Sequence, residues 1–300
     1  MHKPLLIAIV GPTAVGKTAA AVAIAKQFAT SIVSFDSRQC YQELDIGVAA
    51  PSVEEMQGVE HWFIKSHSIH NMVNAASFEQ YGLNALDTIF QHRPIAVAVG
   101  GTGLYLQALL QGLDAMPQVT EEVKARVAQG YAEGGLIWLQ QEVKRLDSKY
   151  FAEVDTQNPV RLLRALEICY ATQQPFSSFR NKQPVERPFN TVLLGLDLPR
   201  QLLYERINQR VHAMMQQGLL QEVEGVRPHQ HLNALQTVGY TELFAHLRGE
   251  ISLAAAIEKI QQHSRNYAKR QLTWFKRLPK VQWFEPHQLT AMMNTIEQAM

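Results

Sequence analysis

The sequence predicts an α/β fold: a parallel sheet flanked by helices, carrying an inserted all-helical small domain. Three observations predict it. Apolar runs of strand length alternate with helical patterns over the first third of the chain, residues 120–173 carry helical signals only, and a sheet-type apolar run returns at 191–196.

Residues 5–10 (LLIAIV) are apolar throughout, as a strand buried on both faces requires. They lead through GPTAVGKT into an alanine-rich stretch at 19–25, which reads as a helix. Residues 31–35 form a second short apolar run ending at Asp36, and 95–99 (IAVAV) a third ending in Gly100-Gly101. Between them, Phe78, Tyr81, Leu86 and Ile89 fall at helical spacing over 77–90, and a further helix is expected at 104–110.

After Met116-Pro117 the spacing predicts helices at 120–132 and 136–144, separated by Gly134-Gly135, and a third starting at Asn158-Pro159. Asn at the cap with Pro at the first helical position is a strong start signal. Residues 174–188, with Pro175, Pro184 and Pro188, have a linker composition. The sheet pattern resumes at 191–196, followed by helices at 202–217, closed by Gly218, and 253–278, capped by Ser252, with a last strand at 281–284. The expected division is a core of residues 1–116 and 190–300 with basic C-terminal helices, and a helical insertion with its linker at 117–189.

The chain has 300 residues, enough for a full core and a smaller unit. It is 46% hydrophobic and 18% charged, and no run of about 18 apolar residues suggests a membrane span. Only His2, Lys3 and Pro4 precede the first strand after the initial Met, so no leader peptide is expected and the cytoplasm is the expected compartment. Two cysteines, Cys40 and Cys169, make no disulfide framework. A monomer is the default expectation. The formal net charge of +1 excludes no partner; its distribution is more informative.

GPTAVGKT has the G-x-x-x-x-G-K-[ST] spacing of a phosphate-binding loop, which makes the sheet P-loop NTPase-like. In such a loop the glycines let successive amides converge on an anion, the helix N-terminus adds its dipole, the lysine reaches a terminal phosphate and the last hydroxyl holds Mg²⁺. Those roles fall to Gly11, Gly16, Lys17 and Thr18, with Thr13 adding a hydroxyl inside the loop. A nucleotide kinase would usually offer a strand ending in a magnesium-positioning Asp. The strand at 95–99 ends instead in Gly-Gly-Thr-Gly. The other strand-end acid is Asp36, which from position alone is a magnesium ligand, a general base or a cap.

The segments GPTAVGKT at Gly11, DSRQCY at Asp36, GGTGLYLQALL at Gly100, NPVRLLRALEI at Asn158, VGYTEL at Val238 and YAKRQLTWFKR at Tyr267 together resemble the tRNA dimethylallyltransferase (tRNA isopentenyltransferase) family, in family order through most of the chain. The resemblance implies transfer of the dimethylallyl group from dimethylallyl diphosphate to the N6 amine of the adenine 3′-adjacent to the anticodon in tRNA, with release of diphosphate. It further implies Asp36 as base, with Lys17 and Thr13 as catalytic partners, and diphosphate held by Gly11, Pro12, Thr13, Ala14, Val15, Gly16, Lys17 and Thr18, with Mg²⁺ on Thr18. By the same resemblance, Asp36, Ser37, Arg38, Gln39, Thr102, Lys124, Arg126, Val160, Arg161, Leu162, Leu163, Arg164, Lys269 and Arg270 would meet tRNA.

The chain departs from the family where Gly-Thr-Ala-Lys-Pro becomes Gly47-Val48-Ala49-Ala50-Pro51, and where His-His-Leu becomes His61-Trp62-Phe63. The departures leave a binding role for residues 47–63 open and leave the loop, Asp36 and the basic segment intact.

From 259 to 280 the chain carries Lys259, Arg265, Lys269, Arg270, Lys276, Arg277 and Lys280 with no acid. On a helix, Asn266, Lys269, Arg270, Thr273 and Arg277 share one face, and Ile260, Ser264, Tyr267, Gln271 and Phe275 turn towards another. Taken with Arg161, Arg164, Arg180, Lys182 and Arg187, this predicts a positive, RNA-sized surface. Trp274 and Cys40 are expected to be packing residues, and the loosely spaced histidines are not expected to hold zinc. A P-loop nucleotide kinase, a prenyltransferase acting on free adenine nucleotides and a non-catalytic RNA-binding module are the rival readings. The first two have no need of the basic helix, and the third has no need of the loop with Asp36.

Overall fold

The computed structural model describes residues 3–181 and 183–300, so Lys182 lies outside the described residues. The chain forms two compact units: Met1–Gln111 with Glu186–Met300, and Gly112–Val185.

The first unit is built on one sheet in which six strands among the described residues are all parallel. In chain order its elements begin with β1 (Leu5–Val10), α1 (Lys17–Gln27), β2 (Ile32–Ser34), the single turn α2 (Val53–Met56), the two-residue β3 (His61–Trp62), α3 (Ala75–Phe90), β4 (Ile95–Val99) and α4 (Gly103–Gln111). The second unit contains α5 (Glu121–Leu146), α6 (Ser148–Glu153) and α7 (Pro159–Thr172). The first unit then resumes with β5 (Asn190–Leu196), α8 (Arg200–Gln217), α9 (Leu219–Val226), α10 (Tyr240–Leu247), α11 (Leu253–Phe275), β6 (Gln282–Phe284) and α12 (Leu289–Glu297).

The strand order is β3-β2-β4-β1-β5-β6. All six residues of β1 are buried, which is why the run LLIAIV has no alternation: it pairs with β4 on one side (Leu5↔Ile95 to Ile9↔Val99) and with β5 on the other (Leu5↔Asn190 to Val10↔Gly195), and packs on both faces. Leu6, Ala8 and Val10 enter one core layer, with Phe35, Phe78, Leu106, Tyr240 and Phe275. Leu5, Ile7 and Ile9 enter the opposite one, with Ile24, Leu203 and Ile207. Because β2, β4 and β1 are neighbours and parallel, their carboxyl ends set residue 36, residues 100–103 and residues 11–16 side by side along one edge.

Local signals fixed most helix ends. Ser252 caps α11 by accepting from the Ala255 amide, and Gly218 closes α8 in the left-handed region (φ 104°). The helix expected at 253–278 stops at Phe275. In the second unit the break expected at Gly134-Gly135 is present: α5 consists of two helices meeting at Gly135, whose backbone is not helical (φ 60°, ψ −160°), and Asn158 caps α7 through the Arg161 amide. That unit has its own core of Val127, Leu139, Val143, Leu162, Leu166 and Ile168. Short or weakly patterned elements were not expected from the sequence: α2, β3, α6, α9, α10 and α12. Among the described residues no helix is long and apolar enough to cross a membrane.

Candidate active site

The loop between β1 and α1 follows the backbone its glycines permit. Gly11 has φ 149°, and a Cβ there would stand 2.5 Å from the Leu196 carbonyl oxygen of β5, so only glycine lets the loop leave the sheet at this point. Ala14 (φ 64°) and Gly16 (φ 106°) complete the curl, and Gly16 is the cap residue of α1. The Lys17 ammonium donates to the Pro12 carbonyl at 2.7 Å. The Thr13 amide donates to Gln271 Oε1 at 2.8 Å, and the Thr13 hydroxyl oxygen accepts from Arg210 Nη1 at 3.3 Å.

Thr13, Ala14, Gly16, Lys17 and Thr18 line a cavity of about 730 Å³ together with Asp36, Ser37, Arg38 and Gln39. Gly11, Pro12 and Val15 are buried behind it. The cavity is thus bounded by the carboxyl end of the sheet on one side, and by α8 and α11 on others, through Ile207, Arg210, Val211, Met214, Ile260 and Tyr267.

Residues 36–39 send each side chain to a different neighbour. Asp36 Oδ1 accepts from the amides of Arg38 (2.9 Å) and Gln39 (3.4 Å). The Ser37 amide donates to Thr102 Oγ1 at 3.0 Å, and the Thr102 hydroxyl donates to Ser37 Oγ at 3.2 Å. Gln39 Nε2 donates to the Ala49 carbonyl at 2.8 Å and to that of Val48 at 3.4 Å. The Arg38 guanidinium donates to the carbonyls of Asn233, Ala234 and Gln236. These donors are directed at backbone oxygens of the 233–236 segment.

Two further walls come from segments with no expected role. Glu222 of α9 accepts from the amides of Asp45 (3.0 Å), Ile46 (2.7 Å) and Gly47 (2.9 Å) and from the Tyr240 hydroxyl (2.5 Å). This one carboxylate holds the turn that brings Gly47, Val48 and Ala49 to the cavity. Gly47 lies so close to the Tyr240 ring that a Cβ would come within 2.6 Å of it. Of the altered stretch 47–63, residues 47–49 and Glu55 line the cavity. On another side Glu242 accepts from the Gly239 amide (2.7 Å) and the Thr241 hydroxyl (3.0 Å), and is bridged to His263 Nδ1 at 2.5 Å.

The charges around the loop are coupled. Burial pushes the Lys17 ammonium down to about 7; Asp36 opposes the shift and Arg210 adds to it. Burial likewise lowers Arg210, against the attraction of Glu55 and Asp36. The Tyr267 phenol is raised to about 12 by burial and by Asp36. Cys40, fully buried in the core, has its thiol raised to about 12, mainly by desolvation. For a magnesium ion the donor set is sparse: among the described residues no three His, Cys, Asp or Glu side chains cluster to hold a metal. Mg²⁺ needs only one or two protein oxygens when phosphate oxygens supply the rest, and the Thr18 hydroxyl, beside Lys17 on the cavity wall, fits that mode.

Along α11 the inward face carries the buried Ile260, Ala268, Gln271 and Phe275, while Lys269, Arg270 and Thr273, and Arg277 just beyond its end, are exposed. Arg270 lines the cavity and lies over the Tyr267 ring; Lys269 does not line it. Other cations of the basic run are tied down, Arg265 to Asn208 and Lys276 to Asp197. Trp274 corrects the expectation of a core residue: 37% exposed, it lies over Gly103 at the start of α4. Arg187 is mostly buried, paired with Glu79 at 2.6 Å and donating to the Ala108 and Leu109 carbonyls, which removes it from the expected positive surface.

Lys124, Arg126 and residues 160–164 belong to the second unit. Lys124 pairs with Glu121 at 2.7 Å, Arg126 stacks on Tyr170 and Arg164 pairs with Glu167 at 3.5 Å. Val160 and Arg161 are exposed and Leu163 is half-buried. Leu162 is fully buried in the unit's own core, so its side chain is a packing group, contrary to the expectation that it meets RNA.

Residues 39–278 match the model of a protein family described as IPP transferase. The chain belongs to that family. Among the IPP transferase relatives it is 45% identical over 291 residues to tRNA dimethylallyltransferase 1 of Bacteroides thetaiotaomicron, covering 97% of this chain and 94% of the relative. It is 43% identical over 286 residues to tRNA dimethylallyltransferase of Flavobacterium psychrophilum, covering 93% of each. The full-length tRNA isopentenylpyrophosphate transferase of Bacillus halodurans superposes with a TM-score of 0.74 at 33% identity, over 99% of this chain and 96% of that one. A eukaryotic dimethylallyltransferase acting on tRNA shares the fold, with a TM-score of 0.81 at 23% identity, over 99% of this chain and 77% of that one.

Within this IPP transferase site, sequence reading overlooked Arg210, Glu222, Glu242 and His263, and named Gln271 only as an inward-facing position. Arg210, Glu242, His263 and Gln271 reach the loop or the cavity from far along the chain, Arg210 being 197 residues from Thr13, while Glu222 holds the 45–47 turn. Two of them lay inside segments already singled out, Glu242 in VGYTEL and Gln271 in YAKRQLTWFKR.

Proposed function

We propose that this chain transfers the dimethylallyl group of dimethylallyl diphosphate to the N6 amine of the adenine 3′-adjacent to the anticodon in tRNA. The observation that carries the reading is the shared cavity, which places the anion-binding loop and the Asp36 carboxylate on the walls of one chamber.

The chemistry uses both. An adenine amine is a poor nucleophile because its lone pair is delocalised into the ring, so attack is helped by a base that takes the proton as the bond forms. Asp36 takes that role, held by the amides of Arg38 and Gln39, which fix Oδ1. The new N6–C bond forms as the allylic C–O bond breaks in line, and diphosphate leaves with the bonding pair. Charge gathers on the leaving oxygens, where Lys17, the loop amides, Thr13 and Arg210 supply hydrogen bonds and positive potential. Thr18 would hold Mg²⁺ together with diphosphate oxygens, and the metal's contribution is to neutralise that charge. Gly11, Pro12, Ala14, Val15 and Gly16 shape the cradle.

An adenine in a folded RNA loop must leave its stack to reach a cavity of this kind. Ser37, bonded to Thr102, and Gln39 are the groups proposed to meet its edge, and Lys269 and Arg270 the cations proposed to meet the backbone. In the second unit Lys124, Arg126, Val160, Arg161, Leu163 and Arg164 are the proposed RNA contacts. The kinase reading is disfavoured by the end of β4, where Gly100-Gly101-Thr102 stands in place of a metal-positioning carboxylate.

The test is to supply labelled dimethylallyl diphosphate with tRNA or with AMP and to follow the label. Label on adenine of tRNA alone is the expected result. Label on AMP supports transfer to free nucleotides, and ATP turnover with neither product overturns the reading.

A further inference from the structure

Arg38 is bonded to two walls of the cavity at once. Its amide donates to Asp36 Oδ1 at 2.9 Å. From the same residue, Nη1 donates to the carbonyls of Asn233 (2.8 Å) and Ala234 (3.2 Å), and Nη2 to that of Gln236 (3.4 Å). Those three oxygens belong to a single 3₁₀ turn, Asn233–Leu235, and the residue that follows it. Glu242 holds the far end of the same segment through the Gly239 amide at 2.7 Å. Between these two anchors Gln236, Thr237, Val238 and Gly239 form one lip of the cavity, and Asp36 lies on the wall from which Arg38 reaches.

We infer that Arg38 is a positioning residue: it sets the separation between the Asp36 carboxylate and the 236–239 lip, and it is not a ligand of RNA phosphate. The inference rests on the proposed prenyl transfer. A guanidinium suits the task because its donors are fixed in a planar fork, so three carbonyls of one turn can be held in one geometry. An ammonium is a point charge with freely rotating donors and cannot hold that arrangement. Releasing the turn would leave the backbone of the lip free to shift relative to Asp36, and misplacement of about 1 Å at a reacting centre can cost roughly 10²-fold in rate. Binding of the diphosphate, which depends on the loop after β1, would not feel the loss.

The experiment uses the full chain and two variants, Arg38→Lys and Arg38→Gln. Four quantities are measured: the single-turnover rate of prenyl transfer at saturating tRNA and dimethylallyl diphosphate, the affinity for inorganic pyrophosphate with Mg²⁺, the salt dependence of tRNA binding, and the melting temperature. Both variants are expected to slow the single turnover by about tenfold or more, with pyrophosphate affinity, melting temperature and the slope of log Kd against log salt all close to those of the parent. A phosphate ligand behaves differently: Arg38→Lys would restore the rate, and Arg38→Gln would reduce the salt slope by about one. Either result overturns the inference, as does a rate loss matched by parallel losses of pyrophosphate affinity and melting temperature. Variants that transfer as fast as an active parent sink this inference alone; a parent that transfers no prenyl group to tRNA sinks the proposed function with it.

Discussion

Gln271 holds Thr13 in place. Its Oε1 accepts the Thr13 amide at 2.8 Å while its Nε2 donates to the Gly101 carbonyl at 3.0 Å, so one buried side chain of α11 fastens the phosphate loop to the turn after β4. The fit leaves no room for variation at the partner, since a Cβ at Gly101 would collide with Gln271 Nε2. Gln271→Leu keeps the volume and removes both bonds, leaving two backbone groups without their partner at roughly 1–3 kcal/mol each where water cannot reach them. Denaturant unfolding should show a loss on that order, and pyrophosphate affinity should fall with it. A variant of parental stability and affinity would show that the loop holds its own shape.

Asp36→Asn should slow the transfer step by roughly 10²-fold or more, the usual scale for a positioned base. The substitution keeps an oxygen to accept the Arg38 and Gln39 amides, so pyrophosphate and tRNA affinities should stay near the parental values. Single-turnover kinetics beside equilibrium binding separate the two effects, and parental turnover would assign the proton to another group.

Under the proposed function, Lys17 should make pyrophosphate binding proton-linked. With the ammonium brought down to about 7 in the free protein, the group is charged below that pH and neutral above it. A bound diphosphate favours the charged form and raises its pKa, so binding above pH 7 takes up a proton and affinity falls as pH rises; below pH 7 this group contributes no slope. Calorimetry at pH 8 in buffers of different ionisation enthalpy should show more proton uptake for the parent than for Lys17→Arg, whose guanidinium stays charged throughout. Equal uptake by the two proteins would place the titration elsewhere.

Lys269 and Arg270 are exposed on α11, and Arg270 also lines the cavity. Replacing both by alanine should weaken tRNA binding and reduce the slope of log Kd against log salt by up to about two, roughly one for each phosphate that is no longer neutralised. Melting temperature should hardly change, because neither side chain is in the core. An unchanged slope would remove this helix face from the RNA interface.

Several features were legible because their causes are local. The unbroken apolar runs LLIAIV and IAVAV became neighbouring buried strands, and the cap residues Asn158, Ser252 and Gly218 marked helix ends that the backbone respects. The phosphate loop announced itself by glycine spacing, since only that spacing allows its backbone. Conversely, β3 and α2 have two and four residues, too few for a period to emerge, and α9, α10 and α12 span little more than two turns each. Leu162 was placed with RNA because it lies inside a motif, and a motif does not say which of its side chains turns into the core; for Trp274, burial depended on what covers its face.

The sequence by itself determined the parallel sheet, the glycine-rich loop after its first strand and an acid at the end of a neighbouring strand, because strand periodicity, loop backbone and helix capping are settled within a few residues. Tertiary structure alone decided what surrounds them. It set Gln271 on the Thr13 amide, Glu222 on the 45–47 turn, Arg210 beside the loop and the Arg38 guanidinium on the 233–236 carbonyls. Those bonds join segments far apart along the chain, and no local pattern encodes them: a buried polar group must find a partner, but which partner depends on where the packed helices bring it.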